Sequence, residues 1–458
     1  MNIRSNRREF LKRTTLAGVG FWVAGGGAPV QSKSPNEKLN LGIIGSGGRG
    51  GSNLNDVAGE NIVALCDVDE QSAGATFQKF PKAKKYNDYR KMPEEMDREI
   101  DAVVVATPDH THAPASMMAM KMGKHVYCEK PLTHSVYEAR ALTEAASKYK
   151  VVTQMGNQGT SGDGLREAVE VVRAGAIGPV REVHVWTNRP IWPQGAGALL
   201  ENASVRTALH GSRGGNPPAI PSTLHWDLWL GVAPDRIYDP CYLPFKWRGW
   251  LDFGTGALGD MACHTANMAF MACNLGYPTS VEAEFSESNS ETFPMWSVIR
   301  YQFPARGDLP PLKWTWYDGG NDKPAWVNKH LKELAKGNDI PGSGSLLVGD
   351  KGILFSPDDY GTSYKLLPES DFVGFKPPTP SLPRSPGHHQ EWINGCKGGP
   401  KPMSNFSYAG LLTETVLLGV VAIRAGKKIE WDGPNLKVTN IPEANNYVRR
   451  EYRKGWSL

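Results

Sequence analysis

From Lys38 onward, short apolar runs and longer amphipathic stretches alternate along the chain. Lys38–Gly45, Asn61–Asp67 and Asp101–Thr107 are apolar runs that end in polar or glycine residues, and His125–Cys128 and Val151–Gln154 are shorter ones. Between them, Asp69–Phe80, Ala113–Met122 and Ser135–Lys148 carry apolar residues at helical spacing. Buried strands that alternate with helices predict a parallel sheet covered on both faces, so residues 38–158 read as one α/β domain. The character changes after Gly159. A helix is expected near Gly164–Ala174 and an alternating strand over Val180–Asn188. Residues 190–250 are rich in Gly, Pro and Trp with little periodicity, whereas Ser297–Phe303 and Leu312–Tyr317 have the look of antiparallel strands. Tyr408–Ala425 is a long apolar helix candidate, and residues 159–458 read as a second, α+β domain.

The length of 458 residues accommodates two domains with full cores, and 40% hydrophobic against 21% charged residues is globular composition. The net charge of +4 resides in the first fourteen residues, where Arg4, Arg7, Arg8, Lys12 and Arg13 face only Glu9. The remainder is near neutral, which points away from a nucleic-acid partner. Ser5-Asn6-Arg7-Arg8-Glu9-Phe10-Leu11-Lys12 resembles a twin-arginine export signal, followed by an apolar stretch from Thr15 to Ala28. That stretch is glycine-rich and shorter than the roughly 20 apolar residues a spanning helix needs, so residues 1–37 are expected to be a signal and linker. Ala28-Pro29 is a poor cleavage junction, which leaves room for a retained anchor. The expectation is a periplasmic or otherwise exported protein that engages the twin-arginine machinery. Six cysteines show no paired spacing of the zinc or redox kind, and Cys66 and Cys128 read as buried thiols.

Gly45-Ser46-Gly47-Gly48-Arg49-Gly50 follows the first predicted strand and opens a helix, the context in which GxGxxG is a dinucleotide-binding loop. The first glycine permits a tight turn, the second lets backbone approach a pyrophosphate, and the third lets helix and strand pack closely. The helix N-terminus then offers free N–H groups and its positive dipole end to phosphate. Asp67, at the end of the second run, is placed to accept from an adenosine ribose hydroxyl and to repel a 2′-phosphate, so NAD is expected rather than NADP.

Gly45–Gly50, Ala106-Thr107-Pro108-Asp109-His110-Thr111-His112 and Cys128-Glu129-Lys130-Pro131 together resemble the glucose–fructose oxidoreductase/inositol dehydrogenase (Gfo/Idh/MocA) family. Gly254–His264, with Asp260 and His264 four residues apart, is similar to that family's second-domain signature. The resemblance implies an N-terminal Rossmann domain followed by an α+β domain with an open-faced, mostly antiparallel sheet. It also implies a homodimer or homotetramer. It places Lys130 at the reacting oxygen, His264 as proton acceptor, and Asp260 orienting His264 or the substrate hydroxyl. Asp260 and His264 share a helix face at this spacing, and an imidazole with an ordinary pKa near 6.5 can cycle near neutral pH. Glu129 belongs to the same signature, and Pro131 is expected to follow a cis bond. Thr107, Pro108, Asp109 and His112 match positions on the nicotinamide side, although Asp109 departs from the asparagine more usual there. Asn157 and Gln158 are further ribose or substrate contacts, in a segment that lacks the arginine many relatives carry.

The function expected from this resemblance is hydride transfer from a hydroxyl carbon of a sugar, glycoside or cyclitol to tightly bound NAD. The alternative is a redox-neutral, NAD-dependent glycoside hydrolase that oxidises transiently at C3; the intact Glu129-Lys130-Pro131 favours the dehydrogenase. A sugar-binding regulator is disfavoured by the presence of Lys130, Asp260 and His264 together. His388-His389 reads as the start of a helix rather than as a metal site, and no metal is expected. Thirteen of fourteen tryptophans lie beyond residue 185, and the tract with His225-Trp226-Asp227 and Lys246-Trp247-Arg248 is the place to look for substrate specificity or for a subunit contact.

Overall fold

The computed structural model describes residues 37–201 and 218–458, so the leader and its twin arginines lie outside the described residues. The described residues form one compact unit. Its first lobe is a six-stranded sheet in the order β3-β2-β1-β4-β5-β6. The strands are β1 (Asn40–Ile44), β2 (Asn61–Cys66), β3 (Lys84–Tyr86), β4 (Ala102–Val105), β5 (His125–Cys128) and β6 (Thr153–Met155). Every pairing in it is parallel. The order reverses between β1 and β4, which opens a crevice at the carboxyl ends of those strands. Helices α1 (Gly48–Asp56), α2 (Glu70–Lys79), α3 (Lys91–Met96), α4 (His112–Lys121) and α5 (Val136–Tyr149) connect the strands. The α5 helix starts on a Ser135/Glu138 capping box. Strand β3 was not anticipated: Lys-Lys-Tyr is an edge strand too short and too charged to carry an alternation.

The second lobe is a nine-stranded sheet in the order β13-β12-β11-β7-β10-β9-β8-β14-β15, closed at one edge by β14 (Ile429–Asp432) and β15 (Lys437–Val438). Helix α6 (Asp163–Arg173) leads into its central strand β7 (Val180–Trp186). The expected strands appear as β9 (Ser297–Phe303) and β10 (Leu312–Tyr317), with β8 (Ser280–Phe285), β11 (Gly344–Gly349), β12 (Ile353–Ser356) and β13 (Lys365–Leu367) around them. All pairings are antiparallel except β7 with β10. The tract after β7 contributes the short helices α7 (Gly195–Glu201) and α8 (Trp226–Leu230), ahead of α9 (Gly256–Thr265) and α10 (Asn267–Ala272). Helix α11 (Ala325–Leu334) covers part of the sheet, burying Val327 and Leu331 against Trp186, Leu346 and Phe355.

After α12 (His388–Cys396), helix α13 (Phe406–Ala425) runs through the middle of the molecule, and 78% of its most apolar window is buried. Its length and composition would allow it to cross a membrane; here it is a core helix packed against protein. A Cβ on Gly410 would sit 2.0 Å from Thr143 Oγ1 of α5, and one on Gly419 would sit 2.4 Å from the Tyr301 hydroxyl of β9. Two glycines therefore let α13 approach both lobes closely. Arg140 of α5 donates to both oxygens of the buried Glu414 at 2.8 Å, and one hydrophobic cluster runs through both lobes without interruption.

Candidate active site

The cleft at the β1/β4 crevice has a volume of about 660 Å³ and draws its walls from both lobes. Its floor is the glycine loop. Gly45 has φ +80°, and Gly50 packs so tightly on it that a Cβ there would lie 1.6 Å from the Gly45 carbonyl oxygen. Gly48 has φ +48° and open space where a Cβ would stand. The N–H groups of Gly48 and Arg49, in the first turn of α1, make no hydrogen bond among the described residues. Free N–H groups at a helix N-terminus, beneath an open face, suit a pyrophosphate. Ser46 and Gly50 support the loop from behind: Ser46 is buried with its hydroxyl donating to the Cys66 carbonyl at 3.0 Å, and neither residue lines the cleft.

Asp67 lies in the wall beside the loop and accepts from the N–H of Gly47 at 2.8 Å and of Asp69 at 3.0 Å. Burial raises its carboxyl above the ordinary value, with these N–H groups pulling the other way. Glu129 is buried and takes Arg49 Nε and Asn53 Nδ2 on one oxygen, both at 2.9 Å. The glycine loop and the end of β5 are thereby tied together. Thr107, Pro108 and Asp109 line the opposite wall, with Asp109 Oδ2 accepting from Thr255 at 2.6 Å. Thr107 Oγ1 is buried without a hydrogen-bond partner. His112 reaches the wall but commits both ring nitrogens to carbonyls, Pro131 and Thr107, each at 2.8 Å. Both nitrogens must therefore donate. Burial opposes that charge, but Cys128, Asp109 and the Pro131 carbonyl together push the imidazole up to about 10. His112 thus clamps the loop carrying Lys130 from within the cleft wall. Lys130-Pro131 is cis, as anticipated.

Lys130 and Asp260 come from different lobes and meet here. Lys130 Nζ donates to the Asp260 main-chain carbonyl at 2.6 Å and to Oδ1 at 2.8 Å. Arg248 Nε reaches the same Oδ1 at 3.0 Å. Burial alone would raise the Asp260 carboxyl, but Lys130 and Arg248 outweigh it and hold it well below the usual carboxylate range. Helix α9 puts His264 one turn further along the same face, again lining the cleft. Its ring meets the edge of Tyr360 at 4.8 Å, and Nδ1 is buried with no partner. Burial first, and then the Lys130 charge, push this imidazole well below its ordinary value, so it is neutral at neutral pH.

Two expectations change. Asp260 makes no hydrogen bond to His264 among the described residues; both cations sit on its Oδ1, and of its two expected roles only the one toward a substrate hydroxyl is left. Asn157 is not in the cleft: it is fully buried, donating to the Cys263 carbonyl at 3.3 Å and accepting from Ser404, which fastens the two lobes. Its neighbour Gln158 lines the cleft instead. Residues 388–396 form α12, with His388 and His389 packed around Tyr127. All six cysteines are buried and free.

Reasoning from sequence missed Arg189, Asp359 and Tyr360, which also line the cleft. The last two come from the loop between β12 and β13, where the Asp358 carboxylate accepts from the N–H groups of Tyr360, Thr362 and Ser363. An aspartate holding its own turn is the only local signal, and it does not reveal where the turn docks.

The residues present fit a nicotinamide dinucleotide, with the open loop at its phosphate end and unpartnered Thr107 and His264 atoms deeper in the same cleft. The sequence profile described as "Oxidoreductase family, NAD-binding Rossmann fold" matches residues 39–157, and that described as "Oxidoreductase family, C-terminal alpha/beta domain" matches 205–308. The inositol 2-dehydrogenase 3 of Saccharopolyspora erythraea is 31% identical over 288 residues, covering 59% of this chain and 75% of that one. The chain belongs to the Gfo/Idh/MocA oxidoreductase family. Other likenesses to this Gfo/Idh/MocA chain are shorter. A glycosyl hydrolase family 109 protein of Solibacter usitatus is 34% identical over 160 residues, 31% of this chain and 36% of that one. The match spans only 45% of the length of the inositol 2-dehydrogenases of Salmonella. Among solved structures, an aldose–aldose oxidoreductase from Caulobacter crescentus, complexed with glycerol, shares the fold. Its TM-score is 0.55 at 17% identity, covering 86% of this chain and all of that one.

Proposed function

We propose that this protein is an NAD-dependent oxidoreductase that removes hydride from a hydroxyl-bearing carbon of a sugar, glycoside or cyclitol. The observation that carries this reading is the meeting of Lys130 and Asp260, from separate lobes, with a neutral His264 lining the same cleft. A bound nicotinamide supplies the hydride acceptor. The alcohol proton then needs a base, and the neutral His264 imidazole in the cleft wall is the group suited to take it. Lys130 donates to the alcohol oxygen as it gains negative charge, held in place through its ion pair with Asp260. Asp67 favours the free ribose hydroxyl of NAD over the 2′-phosphate of NADP. The inositol dehydrogenase and aldose oxidoreductase relatives support a polyol substrate.

A redox-neutral glycoside hydrolase is the second reading, favoured by the family 109 relative. One experiment separates the two. Full-length protein is purified, its bound nucleotide is counted after denaturation, and a panel of sugars, glycosides and cyclitols is followed by reduced-nicotinamide absorbance. About one NAD per chain and net reduction with a polyol are expected. Aglycone release without net reduction would establish the hydrolase instead, and a chain that neither binds nucleotide nor acts on the panel is no enzyme of this kind. We further propose export through the twin-arginine route and assembly as a homodimer or homotetramer. Cell fractionation with a twin-lysine leader variant tests the first, and light scattering tests the second.

A further inference from the structure

Arg248 lies outside the motifs that carry the family resemblance, yet it shares a single carboxylate oxygen with Lys130. The two cationic groups are therefore immediate neighbours in the cleft wall. The guanidinium is fixed in direction, lying over the rings of Phe245 at 4.4 Å and Trp247 at 4.2 Å. Nε is committed to Asp260, and Nη1 has only a 3.4 Å bond to the Phe245 carbonyl. Nη2 makes no hydrogen bond among the described residues and is not buried. A residue needed only to neutralise Asp260 would be redundant, since Lys130 already does so. What the arrangement adds is a rigid planar fork with an unused donor edge next to the lysine.

We infer that Arg248 is a specificity-determining residue that binds the oxygen on the carbon adjacent to the one oxidised, so that vicinal diols are taken and isolated alcohols are not. This rests on the proposed function. With the reacting oxygen on Lys130, the next donor along the wall is the guanidinium, and a neighbouring hydroxyl is the substrate group that meets it. A hydroxyl-binding donor left unpaired by an analogue lacking that oxygen costs far more than a lost apolar contact.

The test uses the full-length, NAD-loaded protein with D-glucose, 2-deoxy-D-glucose, 3-deoxy-D-glucose, myo-inositol and a monodeoxy-inositol. Wild type is expected to prefer a parent polyol over one of its deoxy analogues by about a hundredfold in kcat/KM. In Arg248→Gln the parent loses most of that advantage while the analogue is little changed, so the preference collapses. The lysine variant, Arg248→Lys, keeps the charge on Asp260 without the fork and also loses discrimination. Preference retained in both variants, or equal losses on parent and analogue, would overturn the inference. Should Arg248→Gln fail to fold, Arg248→Lys decides alone. A wild type that oxidises no polyol at all removes the proposed function itself, which is a different result.

Discussion

Replacing Lys130 with methionine tests the site most directly, because the side chain has three separable effects. In the proposed reaction its ammonium is the donor at the reacting oxygen, and removing such a donor costs about a hundredfold to a thousandfold in kcat, roughly 3–4 kcal/mol of transition-state stabilisation. Lys130 also holds Asp260 through bonds of 2.6 and 2.8 Å. Arg248 remains on that carboxylate, so the expected stability loss is about 1–3 kcal/mol, below that of a fully orphaned charge. The third effect is the most diagnostic. After burial, the Lys130 charge is the next cause that keeps the His264 imidazole low. With His264 as the proposed base the active form is the neutral ring, so the rate falls as pH drops through its pKa. With the ammonium gone that pKa rises, and the acid limb moves to higher pH. The assay is kcat/KM for the best substrate of the panel from about pH 4.5 to about pH 8, with bound NAD counted beside it. A variant within threefold of wild type, or an acid limb that stays or moves down, refutes the assignment of both residues.

Other outcomes follow from the packing. Gly50→Ala puts a methyl 1.6 Å from a backbone oxygen that no side-chain movement can relieve, so bound nucleotide should be lost, as counted after denaturation. Retention of about one NAD per chain would show that the loop is not the phosphate seat. Arg140→Met strands the buried Glu414 carboxylate and should cost about 3–5 kcal/mol in urea unfolding, whereas a loss under about 1 kcal/mol would mean water reaches it. Acid should destabilise the fold. Burial pushes His110 and His388 down to about 3 and His125 to about 4. Burial holds His134 and His264 low as well, so below about pH 6.5 the unfolded chain binds more protons than the folded one, and stability present above 6.5 is lost as pH falls toward 4. Burial lifts Asp318 to about 6, which takes one proton back. An unfolding midpoint that is flat between about pH 7 and about pH 5 would contradict these burial assignments.

The parts of this site that the sequence reveals are those that local geometry controls. Gly45–Gly50 are diagnostic because a turn between strand and helix demands them, and Asp67 because it ends the adjacent strand. Asp260 and His264 are legible as a pair because helical spacing fixes their common face. What lies across a contact of high sequence separation is not legible. Tyr360 reaches His264 only because two strands of the other sheet deliver its loop, and Asn157 was misassigned because its partner is Ser404, more than two hundred residues away. Electrostatics are hidden for the same reason: the depressed basicity of His264 arises from burial and from a lysine of the other lobe.

Helix α13, notched by glycine on opposite sides, has a consequence for access to the cleft. With one hydrophobic interior on both of its flanks, there is no seam along which the halves could part. On the proposed function, nucleotide and substrate are then expected to pass by displacement of segments at the rim rather than by parting of the lobes. Exchange rates should answer to changes in the loops around Arg189 and Phe245 and be indifferent to solvent viscosity effects that slow large rigid-body swings.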